Sequence, residues 1–114
     1  MEEFSKIVVE DVTVETVNLS RATYKNAEAF KNIINDDIAN GARKIVIDLS
    51  HCGFMDSTFI GVLVVALKDI SKTGGKLRII KPSSVAHSIL ERTDTLRIFS
   101  LYDTIEAAAK SFIH

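Results

Sequence analysis

The chain has 114 residues, 46% of them apolar and 25% charged. That balance bounds it to one domain with a hydrophobic core of its own and excludes a disordered or fibrous protein. Fourteen Lys and Arg against fifteen Asp and Glu leave a net charge of −1, which recommends neither nucleic acid nor an anionic membrane as a partner.

One cysteine, Cys52, excludes an internal disulfide and fits a reducing compartment. The start, Met1-Glu2-Glu3-Phe4, is acidic and lacks the basic-then-apolar order of a signal peptide. The longest apolar run, from Phe59 to Leu67, is far shorter than the roughly 20 residues of a membrane span. The expected location is cytoplasmic, with no membrane partner.

In chain order, Ile7-Val8-Val9 and residues 12–17 are rich in β-branched side chains and predict two strands joined at Glu10-Asp11. Residues 18–23 read as a loop. Ala27, Phe30, Ile33, Ile34 and Ile38 recur at helical spacing, and Asn40-Gly41 ends that helix. Residues 44–49 form a short, nearly continuous apolar run, the pattern of a strand covered on both faces. A loop over 50–55 leads into a second helix at about 56–72, closed by Thr73-Gly74-Gly75. Residues 76–80 predict another strand, broken by Pro82. Ser83 or Ser84 then caps a short helix carrying Val85, Ile89 and Leu90. Residues 97–101 predict a last strand, after which Asp103 caps a final helix with Ile105, Ala108, Ala109 and Phe112 on one side. Strands alternating with helices predict a single α/β domain over 1–114, a mixed β-sheet packed with helices.

The motifs of catalysis are missing from the sequence. His51, His87 and His114 stand far apart, Cys52 has no CxxC partner, and no metal-ligand spacing, Walker loop or GxGxxG occurs. Gly74-Gly75 follows a helix instead of opening one, and no serine sits in a GxSxG elbow. A binding protein is expected, not an enzyme. His51 and Cys52 read as ordinary loop residues, and Arg43-Lys44, Lys68 and Asp69 as surface charge.

The informative stretch is Phe54-Met55-Asp56-Ser57-Thr58-Phe59-Ile60-Gly61, which joins a buried strand to a helix. Asp56 or Ser57 can cap the free N–H groups of the first turn. The helix beyond is more apolar than its inner side requires. Ile60, Leu63, Val64, Leu67 and Ile70 form one stripe, with Phe59 at its margin. Val62 and Val65 fall near Thr58, Gly61 and Asp69, away from that stripe, and mark a face for a partner. A phosphate on a hydroxyl here would add nearly two charges. The helix terminus tolerates that anion, whereas a partner docked over it would have to desolvate it.

The strand at 45–49 followed by Phe54-Met55-Asp56-Ser57-Thr58 and Gly61 resembles the signature of the STAS domain, in its bacterial anti-sigma factor antagonist branch. The resemblance implies a mixed sheet with helices and a phosphoacceptor at Ser57. It also implies a partner that is both anti-sigma factor and serine kinase, bound when Ser57 is unphosphorylated, so that a sigma factor is freed for transcription. A separate protein phosphatase would reset the switch. ATP and magnesium would belong to the kinase, leaving this chain without a cofactor. The partner-binding set is then Asn18, Asp56, Ser57, Thr58, Phe59, Gly61, Val62 and Val65. Two departures from the family pattern stand out. Phe59 replaces a glycine, and Glu15-Thr16-Val17-Asn18-Leu19 replaces a Gly-Glu-x-Asp stretch. They favour a second reading, a STAS scaffold or sensor subunit that assembles, without phosphorylation, with other STAS or signalling proteins or a transporter-like partner, and that forms stable oligomers.

Overall fold

The computed structural model describes residues 2–113. Strand β1 (Phe4–Val9) and strand β2 (Val12–Val17) form the expected antiparallel hairpin, turning at Glu10 with a φ of 57°. The chain continues through β3 (Arg21–Ala22), α1 (Tyr24–Ala39), β4 (Lys44–Asp48), β5 (Phe54–Met55), α2 (Ser57–Lys72), β6 (Lys76–Ile80) and α3 (Ser84–Arg92). A 3₁₀ turn (Thr95–Arg97), β7 (Leu101–Tyr102) and α4 (Ile105–Lys110) complete it. Five strands make one sheet in the order β1-β2-β4-β6-β7, parallel everywhere except the hairpin.

The period-two pleat of the strands distributes the core. Val17, Ile45, Ile47, Leu77 and Ile79 join Phe30 and Ile34 of α1 and Phe59, Leu63 and Ile70 of α2 in the main cluster. Val12, Val14, Val46 and Ile80, the alternate positions, form a second cluster with Ala108 of α4. Both faces of β4 are therefore covered, which is why its sequence is an unbroken apolar run. The α2–β6 connection is tight. A Cβ on Gly75 would lie 2.6 Å from the Arg43 carbonyl oxygen and 2.7 Å from the Ile70 side chain, so only glycine fits there.

Four expectations are corrected. The strand at 97–101 is mostly not a strand. Asp94 adopts left-handed backbone (φ 63°), the 3₁₀ turn follows, and Phe99 drops into the core while Ile98 is half exposed. Only Leu101 and Tyr102 reach register with Ile79 and Ile80. Thr104, not Asp103, caps α4, its hydroxyl accepting from the Ala107 N–H at 3.0 Å. Asp103 pairs instead with Lys81 at 2.7 Å. Val85 of α3 is exposed, and Ala86 and Leu90 make that helix's buried contacts. The loops at 18–23 and 50–55 contain β3 and β5, which pair in parallel as a separate two-residue sheet.

Candidate functional site

The small β3–β5 sheet sets the start of α2. The Ser20 carbonyl accepts from the N–H groups of Gly53 (2.8 Å) and Phe54 (3.0 Å), and the Ala22 carbonyl from that of Asp56 (3.1 Å). The Arg21 guanidinium lies over the Phe54 ring, 4.2 Å from its centroid. Asp56 is thereby delivered between two helix starts, and its carboxylate serves both. Oδ1 accepts from the Phe59 N–H (2.9 Å), capping α2, and Oδ2 accepts from the Tyr24 N–H (2.8 Å), the first residue of α1. The start of α1 is completed locally by Thr23 and Asn26, which cap each other's backbone N–H groups as a capping box.

With Asp56 as cap, Ser57 is the first residue of α2, and both Ser57 and Thr58 are exposed. Thr58, Gly61, Val62, Val65 and Asp69 follow along one side of the helix at i, i+3, i+4, i+7 and i+11 spacing. Val65 is exposed and Val62 half-buried. Gly61 faces open space, since a Cβ there would meet nothing within 4 Å. No internal packing in this chain requires a glycine in the middle of this helix, where glycine costs about 1 kcal/mol relative to alanine.

Phe59 does not belong to this surface. It is fully buried and stacks on Phe30 of α1, ring centroids 5.3 Å apart, and Phe30 in turn meets Phe4 at 5.1 Å. The inward stripe of α2 is Phe59, Ile60, Leu63, Ala66 and Ile70, with Val64 and Leu67 only half-buried. The helix is thus rolled towards α1 relative to the expected stripe. Asn18 sits apart from the α2 face, at the end of β2. Its side-chain amide donates to the Ser5 hydroxyl and the Glu2 carbonyl, both at 3.1 Å, and its own N–H to the Glu3 carbonyl at 2.8 Å. Its link to α2 runs through the backbone, by way of Ser20.

Cys52 is buried with its thiol on the Phe54 carbonyl at 3.2 Å, and burial pushes that thiol's pKa up, away from the reactive thiolate. His51 is exposed. A cleft of about 570 Å³ beside the α2 start is lined by Arg21, Tyr24, Lys25, Phe54 and Asp56 among others. Among the described residues, which leave out Met1 and His114, no three His, Cys, Asp or Glu side chains come together as a metal set. No helix among them is long and apolar enough to cross a membrane.

Comparison with known proteins agrees with this fold. The STAS domain family model matches residues 12–108. A Thermotoga maritima protein, provisionally named an anti-sigma factor antagonist, is 35% identical over 102 residues, which cover 89% of each chain. A crystal structure of the Thermotoga maritima protein carrying that provisional name superposes with a TM-score of 0.85 at 32% identity, over 95% of this chain and 92% of that one. The Bacillus cell fate determinant SpoIIAA, solved in its phosphorylated form, shares the fold with a TM-score of 0.73 at 18% identity, over 96% of this chain and 98% of its own. The chain belongs to the STAS domain family.

Proposed function

We propose that this protein is an anti-sigma factor antagonist, a cytoplasmic binding module without catalytic activity of its own. In this reading it docks an anti-sigma factor that is also a serine kinase onto the Thr58–Gly61–Val62–Val65 face of α2. Ser57 receives the phosphate that ends the contact, and a separate phosphatase removes it. The observation that carries this reading is the division of labour at the α2 start. Asp56 caps α2 and also accepts from the first N–H of α1, so the neighbouring hydroxyl is exposed and free of structural duty. A dianion on Ser57 would meet the N-terminal end of a 16-residue helix, which favours negative charge. A partner covering the same spot would have to strip its water. Open space at Gly61 supports the same reading, because a helix-weakening residue with no internal contact is explained by close approach from outside.

The test has two parts. Intact mass of the protein isolated from its native cells, with the modified residue mapped, should place phosphate on Ser57. Titration of the Ser57→Asp variant against the anti-sigma kinase should show affinity weakened about 100-fold or more, the cost of burying an uncompensated charge. Equal affinity of variant and wild type would sink the proposal.

The scaffold reading keeps one observation of its own. Strand β1 is an edge strand on which Ile7, Val8 and Val9 are all exposed, an unusual row for an unprotected sheet edge. Light scattering separates the two readings, since the scaffold requires stable oligomers of the unphosphorylated protein.

A further inference from the structure

The flank where β1 packs against α1 holds charges that this function does not use. Lys6 of β1 places its ammonium 2.5 Å from Asp37 Oδ1 on α1 and 3.5 Å from Glu15 Oε2 on β2. Glu15 is 1% exposed and Asp37 4%, while half of the Lys6 side chain faces water and roofs the pair. Glu15 Oε2 and Asp37 Oδ2 are buried without a hydrogen-bond donor. The other neighbours offer no relief. The register partner of Glu15 on β4 is Ile47, and the other charged groups lining the two adjoining clefts, Glu2 and Asp36 in one and Asp11 in the other, are acidic, Asp11 being paired with Lys44.

One ammonium cannot balance two buried carboxylates. The excess negative charge in a low-dielectric site is relieved most cheaply by a proton, which also supplies the missing donor. Asp37 makes the closer contact with Lys6, and Glu15 the longer one. Burial, reinforced by Asp37 alongside, pushes the Glu15 carboxyl up to about 8.

We propose that Glu15 and Asp37 share one proton at neutral pH and, with Lys6, form a proton-operated clamp that fixes β1 to α1. Through β1 the clamp also steadies the loop that leads to the start of α2.

The route alternates hydrogen bonds with short stretches of backbone. Residues Glu2, Glu3 and Ser5, at and before the start of β1, hold Asn18 by three contacts. Two residues on, the Ser20 carbonyl holds Gly53 and Phe54, and Asp56 follows. Loss of the shared proton sets two anions side by side, and parting β1 from α1 to admit water relieves them. The folded Glu15 pKa lies above its ordinary 4.5, so the stabilisation is fully present below 4.5 and is lost as pH rises through about 8. Across that window the folding constant falls by up to about tenfold per pH unit.

The test is side-chain carbon NMR of Glu15 and Asp37 in the unphosphorylated full chain, read with the Asn18 and Gly53 amides from about pH 4 to about pH 10. The Glu15 carboxyl should titrate near 8, with both amides shifting at the same midpoint. In Glu15→Gln that amide transition should vanish, and the fall in stability with pH should flatten. Should Glu15→Gln fail to fold, Asp37→Asn serves instead, and should draw the Glu15 midpoint downward. Titration of Glu15 in the ordinary carboxylate range overturns the shared proton. Amides that stay still while Glu15 titrates overturn the link to the loop. Neither readout involves Ser57, so failure of the phosphorylation switch leaves this result unchanged.

Discussion

The start of α2 and the β1–α1 flank each hold carboxylates near a helix, and they treat charge in opposite ways. At α2, Asp56 is half-buried and both its oxygens accept backbone N–H groups, so the charge is fully used and the next side chain is free. At the flank, Glu15 and Asp37 are buried, share one lysine and leave two oxygens without donors. New charge added at the first site meets water and a favourable helix end. New charge at the second meets low dielectric and another anion. The contrast matches the two proposals, a covalent signal at the first and sensitivity to protons at the second.

The largest effect should come from breaking the apolar floor beneath the α2 start. Phe59→Gly removes a fully buried ring stacked on Phe30. Loss of such a ring should cost about 3–5 kcal/mol, read as a lower urea midpoint. A near-neutral result would mean that α2 can roll back to fill the space, and that its present tilt is not set by Phe30. Asp56→Ala comes next, at about 2 kcal/mol, because α2 loses its cap and the Tyr24 N–H of α1 loses its acceptor. A cost typical of one cap, about 1 kcal/mol, would show that the Tyr24 contact contributes little. Lys6→Met should cost about 1–2 kcal/mol, discounted from a fully buried ion pair because half of Lys6 is in water. That cost should be larger at about pH 9 than at about pH 6, since Glu15 is ionised only at the former. Equal costs at the two pH values would erase the distinction between the two regions.

Much of this was legible in the sequence, for reasons particular to each element. The unbroken apolar run of β4 reflects helices on both faces, and the caps and glycines that end α1 and α2 act locally. Asp56-Ser57-Thr58 announces a helix start by residue type alone. The two-residue strands β3 and β5 were not legible, because they exist only through pairing between segments more than 30 residues apart. Phe59 was misplaced for a similar reason. Arithmetic at 100° per residue fixes the width of a stripe, but Phe30 on another helix decides its centre. The strand at 97–101 failed because a buried Phe99 reads the same in a strand and in a turn. The clamp left the faintest trace. Glu15 shares its face of β2 with Val17, which is buried, and that parity was the one sign that it points inward.

Gly61→Ala tests the outer face of α2 with a smaller change of opposite sign. The added methyl meets nothing within 4 Å and removes the conformational freedom of glycine in a helix. The variant should be stabilised by about 1 kcal/mol. On the proposed function, binding to the anti-sigma kinase should weaken nonetheless, because the methyl fills the space assigned there to the partner. Gain of stability without loss of binding would move the docking face elsewhere.

The smallest stability effect belongs to Ser57→Asp, and its smallness is the point. The new carboxylate sits at the first position of α2, exposed, beside the favourable end of the helix dipole. Repulsion from Asp56 opposes that gain, and the net change should lie within about 0.5 kcal/mol. A destabilisation several times larger would mean that Ser57 carries structural duty after all, and lost binding could then be ascribed to damage. A silent change in stability combined with lost binding separates signal from fold at one residue. The β1–α1 flank cannot offer that separation, because there any gain or loss of charge alters the packing of the strand itself.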